Sequence, residues 1–352
     1  MQDAVRIRPP SRIPALAAAA AAAIFALQAA GAASAGGERA SRSIFWGAYI
    51  EGAQTYSHLY GGSWGGGPWD SRTWNKFESN ARKKVSIQHY GQPPPWEQGF
   101  VAQTANLVTG RGAVPLMSMG SWNASLAEVA TGVYDDSLTT WAQAVKAWGK
   151  PFFFRWNWEM NGPWFAWGAQ AARDPGTFVA AWRHFHDLTN RVGASNITWV
   201  WCPNLEYGAS TPYEQLYPGH SYVDWTCLDG YNQESTSVGF ARLYTRSYKH
   251  LLKIAPTKPI MIGEIASREY GATDKAAWIT DTLSTQLPKK FPRIKAVVWF
   301  NWRIYEIGSW WDWPIESSSA ARTAFAKAIS SPYYATGGKI PRLPRLSKVK
   351  PL

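Results

Sequence analysis

Residues 151–203 contain one complete strand–helix–strand pattern. They begin with PFFFRWNW (151–158), continue with PGTFVAAWRHFHDLTNRV (175–192) and end with ITWVWCP (197–203). The first and last runs are short and rich in β-branched or aromatic residues, which is typical of buried strands. The middle segment has the apolar spacing of an amphipathic helix. A strand, a helix and a second strand in this order predict parallel strands joined by helices.

The same alternation continues along most of the chain. Six further strand-like runs are IFWGAYI (44–50), VSIQHY (85–90), AVPLMSM (113–119), WTCLDGY (225–231), PIMIGE (259–264) and IKAVVWFNW (294–302). Longer segments with helical spacing lie between them, such as SLTTWAQAVKAWG, GFARLYTRSYKHLLKIA and TDKAAWITDTLSTQL. Eight strands that alternate with helices over about 300 residues predict an α/β fold of the (β/α)8 barrel type rather than a doubly wound sheet.

Composition supports one large domain with an excess of aromatic rings. The chain has 352 residues, of which 46% are hydrophobic, and it includes 22 tryptophans and 16 tyrosines. Tryptophan is too bulky to serve only as core filling. We therefore expect some of these rings to face a ligand, although packing of helices onto the sheet is an equally open reading for any single ring.

The N-terminus has the features of a secretory leader. Arginines precede the apolar stretch IPALAAAAAAAIFALQAA, and Ala33-Ser34-Ala35 fits a cleavage site. This predicts a signal peptide over residues 1–35 and a secreted protein that begins near Gly36, with a catalytic domain over residues 36–335. The alternative is an uncleaved anchor, since the apolar run approaches the length of a membrane span.

The chain is basic, but its charge does not predict nucleic-acid binding. Loss of residues 1–35 removes three arginines and Asp3, which takes the formal charge from +12 to +10. A basic secreted protein favours anionic surfaces or acidic glycans. Its basic residues are scattered except in the tail, residues 336–352, which contains prolines and lacks apolar periodicity. The tail is predicted to be disordered or to adhere to a cell surface.

The chain has two cysteines, Cys202 and Cys227. They fall in neighbouring predicted strands, and export would permit a disulfide between them. Two buried free thiols are the alternative. We expect no zinc site, because no further Cys or His cluster accompanies the pair.

Two acids stand where a barrel places its chemistry. Active sites in this fold lie at the carboxyl ends of the strands. Glu159 closes the fourth predicted strand and Glu264 closes the seventh, so the two should face one another across the barrel mouth. Alternation along PFFFRWNWE (151–159) would put Glu159 on the inner face and Trp158 on the outer, packing face.

Two carboxyl groups that face one another are the residues that most glycosidases use to cleave a glycosidic bond. The aromatic rings around Glu159 disfavour its charged form and make it the better acid, whereas Glu264 needs polar neighbours, such as Tyr231, to stay ionised. The alternative is structural, with Glu159 paired to Arg155 and Glu264 capping a helix. The acid pair could also belong to a barrel that only binds carbohydrate.

These residues resemble a known family. EMNGPWFAW (159–167) is similar to the acid/base signature of glycoside hydrolase family 26, and PIMIGEI (259–265) is similar to its nucleophile strand. The resemblance spans most of residues 44–331 and includes GVYDDSLTTWAQAVKAWGKPFFFR, TWVWCPN, YPGHSYVDWTCLDGYN and AVVWFNW. It implies a retaining endo-β-glycanase, most often a β-1,4-mannanase, with Glu159 as acid/base and Glu264 as nucleophile.

The resemblance also implies roles for aromatic residues. Tyr231 matches a tyrosine that orients the nucleophile, and Trp164 matches a ring that stacks on the leaving-group sugar. Trp299 resembles a tryptophan that floors the cleavage subsite. Trp122 and His89 would lie in the glycone subsites, although a packing tryptophan and a structural histidine are equally open readings.

The sequence departs from the family pattern at two positions. Trp158 stands where the family has a histidine directly before the acid, and Phe300 stands where a basic residue is common. Indole offers one donor and no acceptor, so contacts to the sugar must differ there. The expected chemistry is double displacement with no cofactor or metal, by a monomer acting on mannan. Mixed-linkage β-glucan, β-1,3-xylan or a microbial exopolysaccharide are alternative substrates.

Overall fold

A computed structural model describes residues 43–50, 71–233, 238–271, 273–306 and 309–337. The expected leader (1–35) and most of the basic tail lie outside these residues. The described chain forms a closed barrel in which each strand is parallel to its two neighbours and neighbours follow chain order. The strands are β1 (Phe45–Ile50), β2 (Ile87–Gly91), β3 (Val114–Met119), β4 (Phe152–Trp156), β5 (Ile197–Trp201), β6 (Trp225–Asn232), β7 (Ile260–Ser267) and β8 (Ile294–Asn301). The predicted (β/α)8 barrel is confirmed.

Helices follow the strands and cover the outside of the barrel. They are α1 (Ser71–Ala81), α2 (Ala102–Gly110), α3 (Leu126–Ala130), α4 (Asp135–Trp148), α5 (Ala166–Arg173), α6 (Pro175–Val192), α7 (Tyr213–Leu216), α8 (Phe240–Ile254), α9 (Asp274–Thr280), α10 (Leu287–Lys290) and α11 (Ser319–Ile329). A π-helical stretch, Asp281–Gln286, joins α9 to α10. Among the described helices, none combines the length and the apolar character that crossing a membrane requires.

Helix α6 illustrates how the sequence sets the element boundaries. The side chain of Asp174 accepts a hydrogen bond from the backbone N–H of Thr177 (3.2 Å), and Pro175 occupies the first helical position. Both are favourable at a helix start, where backbone donors lack partners. The helix ends at Val192, and the following Gly193 has a φ of 83°, a left-handed conformation that glycine adopts readily.

Aromatic residues pack on both sides of the strands. Inside the barrel, Phe45, Phe153 and Trp225 meet edge to face, with ring centroids 5.1 to 6.3 Å apart. Outside it, Trp156 of β4 contacts Trp182 of α6, with centroids 5.9 Å apart. Much of the tryptophan excess therefore packs helices onto strands, which is the less specific of the two readings that the composition allowed.

The end of β4 differs from the prediction. The strand stops at Trp156, and Asn157 and Glu159 have φ values of 44° and 53°. The Asn157 side chain accepts a hydrogen bond from the backbone N–H of Ser121 (2.7 Å), and the backbone N–H of Glu159 donates to Cys202 O (2.7 Å). Strand alternation cannot continue through left-handed residues.

Trp158 is consequently not on the outer face where alternation placed it. Its ring lies 5.3 Å from the guanidinium carbon of Arg155, which points into the barrel. It also contacts Trp122 and Trp167, with centroids 5.9 and 4.8 Å away. The outward assignment of Trp158 is therefore wrong, because the backbone leaves the strand before reaching it.

A hairpin that the sequence analysis did not anticipate follows β8. Its strands are β9 (Arg303–Glu306) and β10 (Ser309–Asp312), which pair in antiparallel register. Since the hairpin begins directly after the carboxyl end of β8, it starts from the edge of the barrel at which active sites are built.

Candidate active site

The structure brings Glu159 and Glu264 together. Glu159 follows β4 and Glu264 lies within β7, and each of the two residues is only 7% exposed. One carboxylate oxygen of each, together with one of Asp229, lies within 4.8 Å of the other two. Both carboxyls reach solvent, and they are close enough together to act on the same bond.

Glu159 is surrounded by neutral hydrogen-bond donors. Asn204 Nδ2 donates to Oε1 (2.9 Å), and Trp164 Nε1 donates to Oε2 (2.5 Å). Burial is the main cause that raises the pKa of Glu159 to about 7, and the negative charge of Glu264 adds to it. The two donors oppose this rise, because they stabilise the carboxylate. A carboxyl with a pKa near neutrality can both give and take a proton.

Glu264 has a different set of partners. Arg155 NH2 donates to its Oε1 and forms an ion pair with it, and the Tyr231 hydroxyl donates to its Oε2. The structural alternative considered for the two acids does not hold. Arg155 pairs with Glu264 rather than with Glu159, and Glu264 lies inside a strand rather than at a helix cap.

Arg155 and Asp229 form a buried ion pair that the sequence analysis missed. Arg155 NH1 lies 2.7 Å from Asp229 Oδ2, and both side chains are almost fully buried. Burial raises the pKa of Asp229, while the Arg155 charge opposes that rise. The sequence signal was an acid inside the apolar run WTCLDGY, two residues before Tyr231, but its partner is 74 positions away.

Gly263 leaves the space that this network occupies. A Cβ atom at this position would lie 2.6 Å from Cys227 Sγ, 2.7 Å from Asp229 Oδ1 and 3.0 Å from Arg155 NH1. Separations below 3.0 Å are sterically prohibitive between a carbon and these heavy atoms. Glycine directly before the candidate nucleophile is therefore required by the ion pair beside it.

His89 also contacts Arg155. Arg155 NH2 donates to His89 Nε2 (3.1 Å), which must therefore be an acceptor, so the proton of the neutral ring lies on Nδ1. Ser118 Oγ lies 2.7 Å from the same Nε2. Burial, followed by the Arg155 charge, lowers the pKa of His89 well below its usual value. Nδ1 has no hydrogen-bond partner within the described part of the chain.

Trp164 and Trp122 occupy different surroundings near the acid. Trp164 is 47% exposed, and its ring lies 5.7 Å from that of Tyr207. Trp122 is half-buried and has a φ of 43°, with its ring 4.8 Å from Trp167. Trp164 therefore presents free ring surface beside Glu159, while Trp122 supports the rings behind Trp158.

Trp299 does not lie where the resemblance placed it. It is 1% exposed and packs between β8 and the helices, with its ring 5.3 Å from Phe325 and 6.3 Å from Trp278. The expectation that it floors the cleavage subsite does not fit this position. The inward neighbour is Phe300, which stacks on Tyr49 (5.4 Å, 11° between planes) and contacts Tyr231.

Cys202 and Cys227 are joined in a disulfide. They follow or belong to the neighbouring strands β5 and β6 and are buried inside the barrel. Cys202 Sγ lies 3.2 Å from Asp229 Oδ1. Of the two readings that the sequence left open, the structure has the disulfide, directly beneath the Arg155–Asp229 pair.

The cluster of carboxylates does not fit a metal ion. Glu159, Asp229 and Glu264 offer oxygens close enough together to be ligands. The Arg155 guanidinium, however, already pairs with two of the three. A cation at this point would have to displace a buried arginine, so we assign the neutralising role to Arg155.

Comparisons with known proteins agree on one family. The model of glycosyl hydrolase family 26 matches residues 124–282. Endoglucanase H of Acetivibrio thermocellus is 32% identical over 77% of this chain and 30% of its own length. A mannan endo-1,4-β-mannosidase of Bacillus subtilis strain 168 is 30% identical over 47% of this chain and 42% of its own. The chain thus spans less than half of the length of these relatives.

Solved structures share the fold at low identity. The catalytic domain of the Bacillus sp. JAMB-750 family 26 endo-β-1,4-mannanase has a TM-score of 0.62 at 19% identity, over 86% of this chain and 90% of that one. The segment that the family model matches contains both Glu159 and Glu264. With the barrel and both acids in the family's order, this chain belongs to glycosyl hydrolase family 26.

Proposed function

We propose that the protein is a retaining endo-β-glycanase that hydrolyses β-1,4-mannan or a related hemicellulose. The observation that carries this proposal is the unequal acid pair. Glu159, whose pKa burial raises to about 7, lies with an oxygen within 4.8 Å of one of Glu264. Retaining glycosidases keep their carboxyls about 5 to 5.5 Å apart, whereas inverting enzymes need about 6.5 to 9.5 Å to admit water.

In the first step, a Glu264 oxygen bonds to the anomeric carbon as the bond from that carbon to the leaving oxygen breaks. The Glu159 proton passes to the leaving oxygen. In the second step, Glu159 takes a proton from water, the water oxygen bonds to the anomeric carbon, and the Glu264 carboxylate departs. Arg155 and Tyr231 hold the Glu264 carboxylate in place before the first step and after the second. No step requires a cofactor.

The remaining predicted positions have supporting roles in this proposal. Trp164 would stack on the leaving-group sugar, because its exposed ring adjoins the acid that protonates that sugar. Tyr231 would orient the nucleophile. Trp158 and Trp122 would border the glycone side, and His89, which is buried, would act through Arg155.

The substrate is the finer part of the proposal. Mannan is favoured by relatives named for mannan hydrolysis, with 29% and 30% identity. Relatives named as an endoglucanase and a β-1,3-xylanase keep mixed-linkage β-glucan and β-1,3-xylan as alternatives. Trp158 and Phe300 change the hydrogen bonds available to sugar hydroxyls, and such contacts separate one sugar from another.

The test is hydrolysis of β-mannan, mixed-linkage β-glucan, β-1,3-xylan and a microbial exopolysaccharide by wild type, Glu159→Gln and Glu264→Ala. We expect wild type to cleave mannan and both variants to lose at least about a thousand-fold in kcat. Proton NMR of the first product should detect the retained β anomer. An initial α anomer would contradict double displacement, and binding without cleavage of any glycan would favour a carbohydrate-binding barrel.

We also propose that the protein is secreted as a monomer. The support is the leader-like sequence of residues 1–35 and the cleavage motif before Gly36. N-terminal sequencing of protein from the culture medium should begin near Gly36. Sedimentation should give a single species of one chain. Binding of the full chain to cells, compared with binding of a chain that ends at residue 335, tests whether the basic tail associates with the cell surface.

A further inference from the structure

The hairpin after β8 has two unlike faces. Register pairs Tyr305 with Trp310 and Arg303 with Asp312, so these four side chains share one face, which we call the outer face. Ile304 and Trp311 share the other face and pack against the barrel's apolar core. An apolar inner face accounts for the attachment of the hairpin. It does not account for the aromatic rings on the outer face.

The outer face exposes two large rings. Tyr305 is 60% exposed and Trp310 is 53% exposed. Their centroids are 5.3 Å apart and their planes meet at 63°, so together they form a corner. Arg303 covers one side of Trp310 (4.9 Å to the ring centroid) and pairs with Asp312 (2.7 Å). Arg303 therefore packs against the indole, and its pair with Asp312 leaves these four side chains without net charge.

The hairpin is held firmly to the barrel on its inner side. Trp311 stacks under the guanidinium of Arg268 (4.3 Å) and contacts Trp313 (5.3 Å). The buried Lys275 ammonium donates to three successive backbone carbonyls at the end of β10, those of residues 312 to 314, at 2.6 to 3.0 Å. A rigid ribbon loses little entropy when its rings take up a ligand.

Trp313, the residue after β10, links the hairpin to the candidate active site. The Trp313 ring lies 5.2 Å from that of Tyr231, which donates to Glu264. The outer face therefore belongs to the same edge of the barrel as the two acids, without touching either of them.

We propose that the outer face, Arg303, Tyr305, Trp310 and Asp312, is a glycan-binding platform beyond the cleavage site. It takes neutral sugar rings of the same polysaccharide chain, which stack on Trp310 and rest against Tyr305. Two aromatic rings bury at most about 500 Å², whereas a stable protein interface needs about 800 Å² on each partner. A sugar ring needs only such a corner, and a face without net charge favours a neutral glycan. The proposal rests on the function proposed above.

The test compares long and short substrates. Removal of both rings, in Tyr305→Ala/Trp310→Ala, should lower kcat/KM on polymeric mannan about ten-fold, or about 1.4 kcal/mol. The rate on the shortest oligosaccharide that is cleaved should stay within about two-fold. The aromatic variant Tyr305→Phe/Trp310→Phe should keep most of the polymer activity. Leu107→Ala, which trims an exposed apolar side chain on α2, is the surface control.

Binding separates this proposal from the proposed function. In native gels that contain mannan, mixed-linkage β-glucan or β-1,3-xylan, Glu264→Ala should be retarded by at least one polymer. The same protein with both outer rings replaced by alanine should lose most of that retardation. Equal retardation of the two proteins, or equal loss of rate on long and short substrates, would overturn the platform. Absence of hydrolysis by wild type would overturn only the enzymatic proposal.

Discussion

The hydrogen bond from Asn204 to Glu159 provides a sharp test of the acid assignment. Asn204→Ala removes the Nδ2 donor to Oε1 and keeps the backbone N–H that donates to Asn161 Oδ1 (2.8 Å). The donor favours the carboxylate, so its loss should raise the pKa of Glu159 further above its present value of about 7.

The size of the shift follows from the strength of such a bond. Hydrogen bonds to charged groups contribute about 1.5 to 3 kcal/mol, and one pKa unit corresponds to about 1.4 kcal/mol. Water can replace part of the lost donor, because Glu159 remains 7% exposed. We therefore expect the pKa of Glu159 to rise by about one unit in this variant.

The assay is the pH dependence of kcat/KM, which reports ionisations of the free enzyme. Wild type should lose activity above pH of about 7 as the acid deprotonates. In Asn204→Ala the alkaline limb should move to higher pH, whatever happens to the maximum rate.

The matched control is Asn196→Ala. Asn196 stands before β5 as Asn204 stands after it, and its Nδ2 donates to two backbone carbonyls, those of Val145 and Lys150. This variant should leave the alkaline limb in place. A limb that stays fixed in Asn204→Ala, or that moves to lower pH, would refute the assignment of Glu159 as the titrating acid.

Three further predictions concern stability and packing. Gly263→Ala should lower kcat at least about ten-fold and stability by about 1 to 3 kcal/mol in urea unfolding, because the new Cβ overpacks the ion-pair network; unchanged kinetics would contradict this. Glu159→Gln should stabilise the fold by up to about 3 kcal/mol at pH 8 and by nothing at pH 4. Because the pKa of Glu159 is raised in the folded protein, its carboxylate lowers the free energy of unfolding, and this loss develops between pH 4.5 and about 7. A stabilisation by Glu159→Gln that does not vary with pH in thermal unfolding would contradict this prediction. Lys275→Met should lower the melting temperature and also weaken retardation by mannan, because three carbonyls at the base of the hairpin lose their donor. Lower stability with unchanged retardation would contradict the link between the Lys275 contacts and glycan binding by the outer face.

The barrel was predictable because each strand is a compact run of β-branched and aromatic residues. The acids were predictable because each ends or interrupts such a run. Which face a residue takes was harder to predict. IKAVVWFNW is apolar throughout, since a parallel strand is buried on both sides, so its pattern does not mark the inner face. The family resemblance placed Trp299 at the cleavage subsite, and the strand's own pattern offered nothing against that placement, although Val298 and Phe300 take the inner side.

Two other features could not be predicted from local patterns. The left-handed backbone of Asn157 and Glu159 depends on hydrogen bonds to residues in neighbouring strands and loops, so strand alternation misplaced Trp158. The Arg155–Asp229 pair joins positions 74 residues apart. The hairpin offered only a weak signal, because the pair between its two runs of four residues is Ile-Gly, which is not among the pairs, such as Asn-Gly, that mark a two-residue hairpin.

The arrangement of charges explains why Glu159, rather than Glu264, should carry the proton that is transferred. Three carboxyls share the space of one guanidinium, and Arg155 pairs directly with Asp229 and Glu264. Asp229 is fully buried beneath the arginine, so it cannot reach a substrate. Glu159 has only the neutral donors Asn204 and Trp164, so it can change its protonation without breaking an ion pair. Arg155 thereby separates the roles of Glu159 and Glu264, because it supplies positive charge by direct contact to Glu264 and not to Glu159.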